Sequence, residues 1–332
     1  MSPMTRSILK TALKRGALIA AANWPVTLIQ ATADSLFKLL LAAPVIGGIF
    51  LAALAVGSDP VALITLQSRE MALTIATALL ARPLVLTVLL LAVAVVGVGG
   101  SLFVFLVKAG TVATLVRSER AAGVIEEPPL RVSAVARASR FSIDHFMSAA
   151  QGFFPRFARL GLMLMAVYIV SGGVYLAAVM RPKPELGWTG AALITAAFVV
   201  WITVVNLLYL LLQIVVVAED CSVASAARRV ASFLRRERRH VMAVFLLLFG
   251  VVIAATGASL LATAALGLVA FVPFFGLVAL PLQLLAWLLR GLVFQYLGLA
   301  SVGAYLTLYR RFIGPGTEVQ IAGAYGHAWG PV

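Results

Sequence analysis

Six long apolar stretches alternate with connections that are by turns rich and poor in Lys and Arg. A helix rises about 1.5 Å per residue and needs roughly 20 apolar residues to cross hydrocarbon, so each stretch is long enough to span a bilayer. They run from about 35 to 57, 84 to 107, 160 to 180, 191 to 218, 241 to 266 and 282 to 309. The expected fold is therefore all-α: a polytopic integral membrane protein with six transmembrane helices. Hydrophobic residues make up 62% of the chain and charged residues only 11%, which excludes an ordinary water-soluble domain.

The last two spans share an almost unbroken apolar run. Gly267, Pro273, Gly276 and Pro281 gather helix breakers in its middle, so the sequence reads as two spans joined by a turn. Whether 267–289 is re-entrant, interfacial or part of a span stays open. Three crossings would place Arg310 and Arg311 on the side poor in positive charge.

Orientation follows from the basic residues. Arg6, Lys10, Lys14 and Arg15 precede the first span, and Lys108, Arg117, Arg120, Arg131, Arg137, Arg140, Arg156 and Arg159 lie between the second and third. Arg228, Arg229, Arg235, Arg236, Arg238 and Arg239 lie between the fourth and fifth, and Arg310 and Arg311 follow the sixth. The alternate connections hold only Arg69 with Arg82 and Arg181 with Lys183. By the positive-inside rule both termini face the cytoplasm, and the expected location is the bacterial cytoplasmic membrane. The net charge of +14 flanks the apolar runs without any nucleic-acid motif, so the expected partner is anionic lipid rather than nucleic acid.

Each outward span is preceded by a basic amphipathic segment, as if one plan were used three times. Ile8, Leu9, Ala12 and Leu13 oppose Lys10, Lys14 and Arg15; Phe141, Phe146, Phe153, Phe154 and Phe157 surround Arg140, Arg156 and Arg159. In the third, Ser222 is the expected N-cap, and Val223, Ala227, Val230 and Leu234 share a face. Such helices are expected to lie in the headgroup plane with their arginines on anionic phosphates; the alternative is that they pack on the protein's own spans, since amphipathicity alone does not separate protein from lipid. Residues 1–34 read as an uncleaved amphipathic lead-in, Ser58 to Arg82 as an outer segment with a short helix, Glu126-Glu-Pro-Pro129 as the main cytoplasmic break, and 314–332 as a disordered tail.

Polar residues within spans are costly and point to function. Asn206, Gln213 and Asp220 recur at sevenfold spacing with Tyr209 near the same stripe, and Gln295 lies at a depth similar to that of Asn206, so the two amides are expected to meet. The seam reads either as interhelical glue or as a polar pathway. Arg290 falls about 28 Å above Tyr309 and reads, with Trp287, as an outer-interface anchor. Glu219 and Asp220 are expected to pair with the Arg228 to Arg239 cluster. Gly97, Gly99, Gly100, Gly172, Gly173, Gly291, Gly298 and Gly303 read as sites of close helix packing. Cys221 is the single cysteine, and His145, His240 and His327 are scattered, so no metal and no cofactor is expected. No activated nucleophile is visible, so no enzymatic activity is expected.

The segment Val215-Val-Val-Ala-Glu-Asp-Cys-Ser-Val-Ala-Ser-Ala-Ala-Arg-Arg-Val-Ala-Ser-Phe-Leu-Arg-Arg236 and the ending Ala304-Tyr-Leu-Thr-Leu-Tyr-Arg-Arg311 resemble a loose family of six-span prokaryotic membrane proteins. It includes the membrane domain fused to some glycerophosphodiester phosphodiesterases. The resemblance covers about a fifth of the chain and implies a membrane-domain role without catalysis. The expected function is a non-enzymatic membrane scaffold or lipid-associated accessory protein; the alternative is a transporter or channel for a small or amphiphilic solute.

Overall fold

The computed structural model describes residues 3–56, 77, 80–127, 132–180, 187–270 and 276–314. Its elements are α1 (Pro3–Ala22), α2 (Trp24–Val56), α3 (Pro83–Ala121), α4 (Val132–Ala138), α5 (Ile143–Met180), α6 (Gly187–Ala218), α7 (Val223–Ala270) and α8 (Gly276–Ile313). No strand occurs among the described residues. Six helices, α2, α3 and α5 to α8, are long and apolar enough to cross a membrane. Large apolar side chains along them stay bare, with Leu84 82%, Ile169 71%, Leu193 72% and Leu261 74% exposed, as a lipid-facing surface requires.

The spanning helices run past the hydrocarbon length. α5 joins the basic phenylalanine-rich segment to the third span without a break, and Pro155 is accommodated inside it. α7 likewise runs from its amphipathic arm into the fifth span, departing from helical geometry at Glu237 (φ −108°, ψ 19°). The sixth-span region is more helical than its breakers imply: Gly267 lies in α7 and Pro281 near the start of α8, leaving only 271–275 between them. Pro281, the sixth residue of α8, lies inside the helix and removes one i→i−4 donor there. Pro273 lies outside the described residues, as do most of 58–82, Pro128 and Pro129, and the tail beyond Gly314.

Two compact units divide the chain, residues 32–107 and residues 1–31 with 108–332. In the smaller unit α2 and α3 form an antiparallel pair. A Cβ on Gly48 would stand 2.9 Å from the Leu89 methyls, and one on Gly100 would strike the Phe37 ring. In the larger unit α8 is central, packing on α1, α6 and α7, while α5 packs on α6. Glycine sets the α1–α8 crossing: a Cβ on Gly303 would lie 2.8 Å from the Gly16 Cα, and one on Gly16 would lie 2.5 Å from the Ala300 carbonyl oxygen. Backbone meets backbone there, the geometry that small residues permit.

Of the other glycines expected to pack, Gly97, Gly99, Gly172, Gly173, Gly291 and Gly298 have open space where a Cβ would go. Among the described residues their lack of a side chain serves no close contact.

The three amphipathic segments cover protein with their apolar faces. Leu9, Ala12, Ile19 and Ala20 of α1, Phe146, Phe153 and Phe157 of α5, and Ala226, Val230 and Phe233 of α7 are all buried. Phe233 meets Tyr309 and Phe312 of α8 edge-on at ring-centroid distances of 5.3 and 5.4 Å. This differs from helices lying apolar face down in the headgroups, because the neighbouring helices already cover those faces. The buried stripe of α7 is also rotated from the expected one: Ala227 is exposed and Ala226 is inside. Ser222 does cap α7, its Oγ accepting from the Ser225 N–H at 3.4 Å.

Candidate functional site

The polar residues of the larger unit gather at its basic margin, in two ionic clusters. The first centres on Glu119, whose side chain is 4% exposed. Arg15 Nε donates to its Oε1 at 3.1 Å, and Arg310 pairs with Oε2. Arg15 also bonds Glu126 Oε2 at 2.8 Å and the Gly123 carbonyl, while Lys14 donates to the Glu126 carbonyl at 2.6 Å. Gly123 has φ +61°, a left-handed conformation that closes α3 and turns its carbonyl toward Arg15. Two cations sharing one buried carboxylate offset the cost of removing all three from water, provided the geometry holds.

The second cluster forms where α6 ends. Glu219 is buried; it accepts the Tyr309 hydroxyl on Oε1 and lies 2.5 Å from Arg229 Nη1 through Oε2. Asp220 takes φ 47°, a left-handed turn that Asp tolerates better than most residues, and pairs with Arg156 of α5. Glu219 thus pairs with the arm as expected, whereas Asp220 pairs across to α5. Arg120 Nη2 donates to the Ala218 carbonyl at 2.7 Å, satisfying a C-terminal acceptor of α6 with a cation at the negative end of the dipole.

Asn23 links α1 to both α3 and the chain after α4. Fully buried, it donates to the Ile19 and Ala138 carbonyls at 2.9 and 3.0 Å and accepts from Ser118 Oγ and the Arg140 N–H, each at 3.2 Å. None of Arg15, Glu119, Glu126 and Asn23 stood out in the sequence as a site. The available signal was Asn23 itself, an amide interrupting an apolar lead-in, and Glu119, an acid amid the arginines of the α3 end.

Within the spans the seam is partly reassigned. Asn206 Oδ1 accepts from Tyr168 of α5 at 2.5 Å, so its partner is the third span and not Gln295 of the sixth. Further out, Trp201 donates to Ser171 Oγ at 2.9 Å, and the Tyr175 and Thr195 hydroxyls lie 3.1 Å apart. These contacts step in opposite directions along α5 and α6, as in an antiparallel hairpin. Tyr209 and Gln213 are buried near the basic end, with Lys108 Nζ 5.5 Å from the Tyr209 ring centroid. Arg290 stands over Phe294, 5.8 Å from its centroid, about two turns on from Trp287, which was expected to serve.

The arginines Arg228, Arg229, Arg235, Arg236, Arg238 and Arg239 are exposed on α7, off its buried stripe, with Arg229 turned to Glu219. His240 Nδ1 lies 2.7 Å from Glu237 Oε2 at the bend of α7. Among the described residues no three His, Cys, Asp or Glu side chains gather as a metal site would need. Cys221 is half-buried beside the second cluster. Burial pushes its thiol above the ordinary range, the Glu219 carboxylate adds to this, and Arg229 and Arg156 oppose it. Less thiolate at neutral pH means slow alkylation. Maleimide labelling of Cys221 is expected to lag a free thiol at pH 7 and to accelerate in Glu219→Gln, where the carboxylate's contribution is gone; stopped-flow labelling rates test both.

Comparison with protein-family profiles, with curated proteins and with solved structures gives no match to this chain.

Proposed function

We propose that the chain is a non-enzymatic integral membrane scaffold whose basic margin holds anionic lipid headgroups, in the cytoplasmic membrane of a bacterium with both termini inside. One observation carries this reading: an arginine-rich ridge on α7 is held outward by its own packed underside. Ala226, Val230 and Phe233 fix the arm on the body, so Arg228, Arg235, Arg236, Arg238 and Arg239 project from the opposite side. A basic residue near an anionic surface contributes about 1 kcal/mol, so even part of this ridge gives a clear preference for acidic headgroups. The likeness of 215–236 and 304–311 to the membrane domain of some phosphodiesterases implies a membrane-domain role. A carrier remains the second reading, but the Tyr168–Asn206 bond satisfies Asn206 inside the α5–α6 hairpin and favours a structural use of that amide.

The test uses full-length protein purified from membranes of mixed neutral and anionic lipid. Wild type is expected to co-purify with anionic lipid enriched about fivefold or more over the bulk. The enrichment should fall at high salt and in a variant carrying Gln at positions 228, 235, 236, 238 and 239. Co-purified lipid of bulk composition in the wild type refutes the proposal.

A further inference from the structure

We infer that this chain pairs with a second copy of itself in the bilayer, along the outer part of α6, with the Asn206 amides of the two copies hydrogen-bonded to each other. α6 ends at Ala218, so Asn206 lies about 18 Å from the basic margin, close to the bilayer midplane. It is exposed at that depth. Tyr168 bonds only its Oδ1, and among the described residues nothing accepts from its Nδ2. Hydrocarbon offers no acceptor, so an amide left bare in it loses its hydration with nothing in return.

Whatever meets this amide must carry an acceptor at the same depth. A second copy does so by construction, because copies inserted with one topology about a two-fold axis along the membrane normal hold each residue at one height. Asparagine suits such an axis: Nδ2 supplies donors, and Oδ1 keeps a second lone pair after the Tyr168 bond. The line of approach is present on α6. Ala192, Ala196, Val199, Thr203 and Asn206 follow at alternating steps of four and three, the heptad seam of a left-handed helix pair, over about 21 Å. Ala192, Ala196 and Val199 are exposed like Asn206, and Thr203 is half-buried with its hydroxyl donating to the Val199 carbonyl at 2.6 Å. None is bulkier than valine, so the two backbones can come close. One heptad beyond Asn206 the same line reaches Gln213, which the chain itself buries. Pairing is thus confined to the part of α6 left uncovered. A different protein would have to match this depth and spacing independently, whereas the same chain matches both at once.

Cysteine cross-linking of the full-length protein in its membrane tests the pair. In a Cys221→Ala background oxidised with copper phenanthroline, Val199→Cys is expected to form disulfide-linked dimer at least about fivefold above Leu261→Cys, an exposed α7 residue at comparable depth. Adding Asn206→Leu should lower the cross-link several-fold, the worth of one interhelical hydrogen bond in a membrane, and Asn206→Gln should restore much of it. Tyr168→Phe should keep it, which separates pairing between copies from the hairpin's own bond. Single-molecule photobleaching of singly labelled wild type at low density in liposomes should show two-step spots, and Asn206→Leu mainly one-step spots. Equal cross-linking at 199 and 261, one-step wild type, or a cross-link unchanged by Asn206→Leu overturns the inference. A product of Val199→Cys that joins another membrane protein, in place of one at twice the chain's mass, overturns it in favour of a foreign partner. Should Asn206→Leu not fold, the comparison of 199 with 261 and the wild-type step count decide.

Discussion

Gly303→Val will abolish recovery of monodisperse protein, while Gly298→Ala in the same helix will leave it intact. At Gly303 the Cβ would sit 2.8 Å from the Gly16 Cα, 3.1 Å from its carbonyl oxygen and 3.3 Å from its carbonyl carbon. Every one of these is backbone, so no side chain can swing aside; the helices must separate. Separation would open the α1–α8 contact and pull on the Tyr296 hydroxyl, which donates to the Ala17 carbonyl at 3.1 Å. Alanine at 303 is expected to cost about 3 kcal/mol, the upper range of overpacking in a closed site, and valine more. At Gly298 nothing lies within 4 Å of an added Cβ, and alanine is the better helix former by about 1 kcal/mol. Fluorescence-detected size exclusion and thermal melts on the pair separate a crossing built on glycine from a general sensitivity of α8. Wild-type behaviour of Gly303→Val would contradict the crossing.

The other large effect is electrostatic. Glu119→Gln is expected to destabilise the protein by about 3 kcal/mol, because Arg15 and Arg310 lose the carboxylate they share in a buried setting. Glu119 is nearly inaccessible and Arg15 about nine-tenths buried, so water cannot replace the lost charge cheaply. Exchanging all three for hydrocarbon, as Arg15→Met, Glu119→Leu and Arg310→Met together, should recover much of the loss, since no buried charge then remains in the trio. A double-mutant cycle on Arg15 and Glu119 is expected to return a coupling of about 1–3 kcal/mol by thermal or denaturant unfolding. Additive effects would show that the ion pair contributes packing alone.

The spans and their helical character were legible because an apolar run near bilayer length has few other stable fates. Charge placement was legible too, but only as a margin. Arg15 read as one of the basic residues flanking the first span and Glu119 was not singled out, since sequence reports sign and spacing and not which connections fold against each other. Depth counting from the helix ends put Asn206 and Gln295 at one height, yet height leaves the neighbour undecided, and Tyr168 on the adjoining helix of the hairpin took the bond. On α7 the buried face lay one residue from the expected one because Ala226 and Ala227 are identical in size and polarity; Phe233 was the residue that decided it, by meeting Tyr309 and Phe312. Gly303 could not be told from Gly298 by type alone. Its special role depends on Gly16, far away in sequence, presenting backbone at the same point.

The central claim is that the basic margins of all these helices lie on one side of a bilayer. Single cysteines placed in a full-length Cys221→Ala background, at Glu127, Arg235 and Gly314 on one hand and at Arg82 and Thr189 on the other, test it with a membrane-impermeant maleimide. In intact spheroplasts only positions 82 and 189 should label, and in inverted vesicles only 127, 235 and 314. Labelling of 127 and 235 from opposite sides would contradict the six-span arrangement and the sites built on it.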